Sequence, residues 1–207
     1  MVPYDSPWSF DEAFGTAFRE HQALRLLGKF IGKDPARLSE LVHVEYLALS
    51  RYPFTFELLA GFHALRVLEL DFLQLKSLGG IERLDLKSLA ISELRQLEDI
   101  SGLRTLPLVG LKVALCNRVM DYGPIGDMDR LERLNVEAKQ VPSLAFLTRL
   151  RTLRRLGLAV DKVDSNVVED VLALSGLQWL GIRKRLLGRG GLERLNVALP
   201  NCKVDVW

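Results

Sequence analysis

Apolar residues fall at short, repeated intervals along this chain. The pattern L-x-x-L-x-L, with leucine, isoleucine or valine at the fixed positions, recurs over most of its length. Taking every match, including Ile81-x-x-Leu84-x-Leu86, Leu103-x-x-Leu106-x-Leu108 and Leu192-x-x-Leu195-x-Val197, gives intervals from 15 to 28 residues. That is too uneven for units that must stack on one another. A second phase is nearly even. Hexads starting at Val44, Leu65, Leu86, Leu108, Leu131, Leu153, Leu177 and Leu199 are separated by 21, 21, 22, 23, 22, 24 and 22 residues.

The fourth and sixth positions of each hexad are apolar and two residues apart, so they share one face of a short strand. One coil cannot bury its own apolar edge, but stacked coils bury a continuous one. Residues 44–207 are therefore expected to form about eight coils. Between strands the apolar spacing changes to three, most clearly at Val141, Leu144, Leu147, Leu150 and Leu153. That spacing predicts a tight helical or 3-10 turn on the return limb. The discarded matches then lie on the returning side, which places Arg83, Asp85 and Arg194 on the convex side or an edge.

Residues 1–43 read as a helical N-terminal cap. Ser9-x-x-Glu12 is a capping-box pattern, and Phe10, Phe14, Ala17, Phe18 and Leu24 recur at helical spacing. A helix from Phe10 to Leu27, closed near Gly28, is expected. Asp34-Pro35 starts a second short helix through Leu41. At the other end nothing follows Trp207, so the last strand is expected to be exposed or paired with another chain.

The repeat resembles the leucine-rich repeat family, and the similarity is greatest to the 22-residue class of the internalins and the phosphatase-1 regulatory subunit. The coil LERLNVEAKQVPSLAFLTRLRT, residues 131–152, carries it best. The tail ALPNCKVDVW is similar to the last coil of many bacterial leucine-rich repeat proteins, where a helix ends at Leu-Pro and a final strand follows. The resemblance implies an α/β repeat fold: a leucine-rich repeat solenoid with a curved parallel β-sheet on its concave face, short helices or 3-10 turns on its convex face, and a helical N-terminal cap. The chain departs from the family at the ninth coil position, usually Asn. Here the residues are Tyr52, Leu73, Leu94, Cys116, Lys139, Asp161, Arg185 and Trp207. Without an asparagine ladder, irregular turns are expected after the strands.

Composition narrows the function. Hydrophobic residues make up 48% of the chain and aromatics only 8%, so the core is mostly aliphatic. Met1 to Phe10 lacks the basic stretch and apolar run of a signal peptide, and no window approaches the ~18 apolar residues of a membrane span. A cytoplasmic protein without membrane contact is expected. Cys116 and Cys202 suit a reducing compartment. Four coils at about 5 Å each separate them by about 20 Å, beyond the ~7 Å limit for a disulfide, and both read as small core residues. His21, His43 and His63 are too scattered for a zinc site, and no G-x-S-x-G, Walker loop or C-x-x-C occurs. No catalytic residue, metal, cofactor or small-molecule substrate is expected.

Net charge is +2, but residues 1–103 hold 11 Lys/Arg against 15 Asp/Glu, a net of −4, and residues 104–207 hold 17 against 11, a net of +6. In an elongated fold this becomes a gradient along the molecule. Arg183-Lys184-Arg185 with Arg189 lacks interleaved aromatics and reads as a solvated edge or a contact for an acidic protein; nucleic acid is disfavoured. Gly188-Arg189-Gly190-Gly191 reads as a turn.

Positions three, five and seven of each hexad line the concave face. Arg133, Arg155 and Trp179 form one column, beside Asn135, Glu137 and Arg183, with Gly157 and Gly181 leaving space. Exposed Trp and Arg are enriched at binding hot spots. These six residues, with Tyr46, Glu69 and Asp71, are the candidate partner-binding set. The competing reading is structural: the arginines pair with acidic neighbours and Trp179 packs on Arg155 as a cation–π stack. The expected function is a non-enzymatic protein–protein interaction module that binds another protein through its concave face, as an inhibitor, immunity or regulatory protein. The alternative is a structural protein that self-associates through its C-terminal edge strand. On the first reading, Arg155→Glu or Trp179→Ala weakens binding without unfolding the protein.

Overall fold

A computed structural model describes residues 23–27, 44–51 and 54–207. Among these residues one parallel sheet of nine strands runs in sequence order. The strands are β1 (Ala23–Leu27), β2 (Tyr46–Ser50), β3 (Val67–Asp71), β4 (Ser88–Ser92), β5 (Gly110–Ala114), β6 (Arg133–Val141), β7 (Arg155–Val163), β8 (Trp179–Ile182) and β9 (Lys203–Val206). Strands β2 to β8 turn their fourth- and sixth-position residues inward. Leu47 and Leu49, Leu68 and Leu70, Leu89 and Ile91, and onward to Leu180 and Ile182, are buried in one continuous core. Each fully buried leucine contributes about 2 kcal/mol of transfer free energy.

The coils are stitched by a repeated contact at the strand starts. The carbonyl of Glu45 accepts from the N–H groups of Arg66 and Val67, and that of Arg66 from Lys87 and Ser88. The same pair of bonds recurs at Lys87, Val109, Glu132 and Arg154. On the return limb the N–H of Leu147 bonds to Leu144 O at 2.8 Å and that of Leu150 to Leu147 O at 3.0 Å. This 3-10 geometry is why leucine recurs every third residue there. The 3-10 turns are Phe56–Leu59, Ile81–Arg83, Ser101–Leu103, Gly123–Asp127 and Ala145–Arg149. The seventh coil returns through helix α1 (Val167–Leu172), where the Asn166 side chain accepts from the Glu169 N–H. The eighth returns through a 3-10 turn at Lys184–Leu186 and helix α2 (Gly191–Ala198).

Three expectations need correction. The first concerns the N-terminal helix: its last five residues, Ala23–Leu27, are strand β1, paired with β2 at Ala23↔Tyr46. Leu24 and Leu26 stand opposite Leu47 and Leu49. A five-residue apolar run fits strand or helix equally by periodicity, and an available sheet edge decides for strand. The sheet therefore has nine strands where about eight coils were expected. The remainder of that helix and the short helix from Asp34 to Leu41 lie outside the described residues.

The second correction is the register of the last coil. Lys203, not Asn201, stands opposite Trp179. The final hexad begins at Asn201, 24 residues after Leu177. The extra length is taken up by α2, whose last turn buries Leu199 and bonds its N–H to Leu195 O. The other seven hexads hold the register expected of them.

The third concerns the turns after the strands, which are regular in four coils. Arg51, Phe72, Glu93 and Leu115 each have φ of 53–55°. Their N–H groups donate to the carbonyls of Asp71, Ser92, Ala114 and Glu137 in the next strand. The ninth-position residues Leu73, Leu94 and Cys116 are then fully buried in place of asparagine.

Candidate protein-interaction site

The concave face changes character along the sheet. At position three, β3, β4 and β5 present Val67, Ser88 and Gly110, all buried. The next two strands present Arg133 and Arg155. The Arg133 guanidinium lies over Gly110, with Nε 3.6 Å from where a Cβ would stand. Arg155 leans the other way and places its guanidinium carbon 5.7 Å from the centroid of the Trp179 ring.

Trp179 is not the exposed anchor expected. It is only 7% exposed, and its indole N–H donates to Asp205 Oδ2 at 2.7 Å. Asp205 reaches this place because of the register of β9, which sets it opposite Gly181. Gly181 does not leave room for a partner either. A Cβ there would stand 2.4 Å from Trp179 Cη2 and 2.5 Å from Trp207 Cη2. The two indoles close over the glycine, and Trp207, 54% exposed, carries the open aromatic surface. The Trp179 hydrogen bond holds the Asp205 carboxyl below the usual carboxylate range, and Lys203, 3.3 Å away, acts in the same direction.

The remaining candidates are spread over the face. Asn135 and Glu137 on β6 are half-buried beside Arg133. Arg183, just past β8, has Nη1 3.4 Å from Asp161, which also binds Arg185. Tyr46, Glu69 and Asp71 are half-buried five or six coils away from Trp179, on β2 and β3, and the Ser50 hydroxyl lies 3.5 Å from Asp71. The structure thus joins Arg133, Asn135, Glu137, Arg155, Trp179 and Arg183 in one region and sets the other three apart. Arg83, Asp85 and Arg194 lie off the concave face; Asp85 pairs with Arg66 and Lys87, and Arg194 on α2 pairs with Glu169. Trp207 is the residue that sequence reasoning missed. The signal that could have found it was the longer return limb before β9.

The thiols are not poised for chemistry. Burial pushes the Cys116 thiol up to about 11 and raises that of Cys202, so neither is a thiolate near neutrality. Burial also raises the Tyr122 hydroxyl. Among the described residues no group of three His, Cys, Asp or Glu could hold a metal ion, and no helix is long and apolar enough to cross a membrane.

The nine-strand parallel sheet with one strand per coil and short convex turns has counterparts among solved structures. Internalin C2 from Listeria monocytogenes aligns with a TM-score of 0.63 at 19% identity, over 82% of this chain and 74% of that one. The internalin inlF of the same organism gives 0.56 at 19%, over 83% and 56%. The leucine-rich repeat domain of the type III effector XopL gives 0.54 at 19%, over 94% and 81%. The fold is that of a leucine-rich repeat solenoid. The chain spans only about half the length of the inlF internalin. Its sequence matches no protein-family model and no curated protein. At these identities the likeness is one of fold, and the leucine-rich repeat fold carries many functions.

Proposed function

We propose that this chain is a non-enzymatic protein-interaction module that binds another protein through the concave face of β6 to β9, as a cytoplasmic inhibitor, immunity or regulatory protein. The observation that carries this reading is the replacement of small concave residues by Arg133 and Arg155 in adjacent strands, ending in the open ring of Trp207. Arginine and tryptophan are the side chains most enriched where binding energy concentrates. The arginines sit on strands, which hold them more rigidly than loops would, and Trp207, directly past β9, is tied down by its N–H bonding to Ile182 O and by the Lys184 N–H bonding to its own carbonyl.

The test is affinity capture from the native host with the wild-type chain, an Arg133→Glu/Arg155→Glu variant and a Lys184→Glu control. A partner retained by wild type and control, and lost at least tenfold by the concave variant with an unchanged circular-dichroism spectrum, supports the reading. Equal retention by all three removes it. Trp207→Ala replaces Trp179→Ala as the aromatic probe, because truncating Trp179 would damage the fold itself.

A further inference from the structure

The starts of β6 and β7 form a basic rim next to the concave face. Residues 129–133 and 151–155 read DRLER and RTLRR, five arginines against Asp129 and Glu132. The structure stacks these two segments directly. The Thr152 hydroxyl lies 3.0 Å from Asp129 O and 2.9 Å from Leu131 O, so the turn bearing Arg151 sits on the turn bearing Arg130. Arg154 extends the rim one coil further by donating to Gly176 O at 3.0 Å. A Cβ at residue 176 would stand 2.6 Å from Arg154 Nη1, so glycine there lets the guanidinium lie flat along the edge. Arg133 and Arg155 open the two strands on the concave side of the same rim.

Elsewhere in the same half, the exposed arginines are committed to carboxylates, apart from Arg189 on the turn before α2. Arg104 and Arg149 share Asp127, Arg118 pairs with Glu98, Arg185 with Asp161 and Arg194 with Glu169. Among the described residues, Arg130 and Arg151 are exposed and show no such pair. Stability of the coil therefore does not account for them.

We infer that this rim receives an acidic segment of the bound protein, running across the strand starts from Arg130 to Arg154. The inference rests on the concave-face reading above and names the chemistry of its partner. Successive coils stand about 5 Å apart, with Arg130 on one coil and Arg151 and Arg154 on the next. Carboxylates one turn apart on a helix, or two residues apart on an extended chain, recur at about 5 to 7 Å, so one acidic face can span the arginines of the two coils. Guanidinium groups suit carboxylates because they accept them as paired, parallel hydrogen bonds. Asp129 and Glu132 interrupt the rim and would repel a continuous phosphate backbone, and the rim itself offers no aromatic ring for a base to stack on. A protein carboxylate segment is thus favoured over a nucleic acid.

The probe is a fluorescein-labelled Glu-rich peptide titrated with the full chain at two salt concentrations, beside single-stranded oligo(U) of matched charge. Wild type binds the peptide, and Arg130→Ala/Arg151→Ala weakens it about tenfold, while Lys184→Ala/Arg189→Ala leaves it within twofold. Absence of peptide binding, equal weakening by the control pair, or tighter binding of oligo(U) overturns the inference. If the captured partner is lost on Arg133→Glu/Arg155→Glu but held normally by the rim variant, only the rim inference fails. If both variants hold it, the concave-face reading fails as well.

Discussion

Strands β2 to β5 and strands β6 and β7 occupy equivalent places in the repeat but solve the end of the strand differently. In the first group the strand stops after five residues, and Arg51, Phe72, Glu93 and Leu115 turn the chain through left-handed backbone. In the second the ladder runs for nine residues. Ala138 and Val160 hold the place of the turn residue, face each other in register and are buried. Left-handed backbone costs a non-glycine residue about 1–2 kcal/mol, yet four coils accept it. It brings Leu73, Leu94 and Cys116 into the core directly after the strand. The same boundary separates the small concave residues from the arginines. The charge division along the sequence, net −4 for residues 1–103 and net +6 for residues 104–207, falls one strand before this change in sheet geometry.

The sharpest way to break the comparison is at position three. Trp179→Ala removes a buried ring and its hydrogen bond to Asp205, and is expected to cost about 3–5 kcal/mol, read as a lower urea midpoint. Ser88→Ala at the equivalent place in β4 is expected to stay within about 1 kcal/mol of wild type, since its hydroxyl makes only a long 3.4 Å bond to Gly110 O. Equal losses would show that the two regions are not packed differently.

A smaller effect, opposite in sign, is expected at position eight. Glu93→Gly relieves left-handed backbone and gives up a pair between the half-buried Glu93 carboxylate and the exposed Arg95. It should stabilise by about 0.5–1 kcal/mol, because glycine adopts positive φ without steric cost. Ala138→Gly, in the middle of the long ladder, should destabilise by about 1 kcal/mol. Thermal unfolding of both variants checks this; shifts of the same sign would mean that the turn and the long ladder place no different demand on the backbone.

The smallest effect is in acid. Asp99 near the middle of the chain, held by the Ser77 hydroxyl at 2.7 Å, and Asp205, held by Trp179, both have lowered carboxyl values. A carboxyl that titrates lower when folded stabilises fully above its unfolded value of about 3.9. That contribution is lost as pH falls through the folded value. Below about pH 4, Trp179 fluorescence and stability should therefore change together in wild type and less in Asp205→Asn. Unchanged fluorescence across that range would show that the Trp179 contact does not depend on the charge of Asp205.

Much of this architecture was legible in the residues. Leucine at every third place from Leu144 to Leu153 predicts the 3-10 return that the structure contains at Ala145–Arg149. Less of the candidate site was legible. Arg133 and Arg155 stand in adjacent strands as expected, but the burial of Trp179 depends on Asp205 and Trp207, 26 and 28 residues further on. Exposure is set by such neighbours, and no local pattern encodes them.

By itself the sequence determined the inward and outward faces of seven strands, from Val44 to Leu177, because apolar residues two apart at near-constant intervals have one stackable phase. Only the tertiary structure decided where the ends fall. Moving β9 by two residues leaves every side chain on the same face, so hydrophobicity cannot register the shift. The length of α2 sets it instead, and thereby puts Asp205 beside Trp179 and Trp207 over Gly181. At the other end the neighbouring edge of β2 turns Ala23–Leu27 into a ninth strand, where the run alone was equally compatible with a helix.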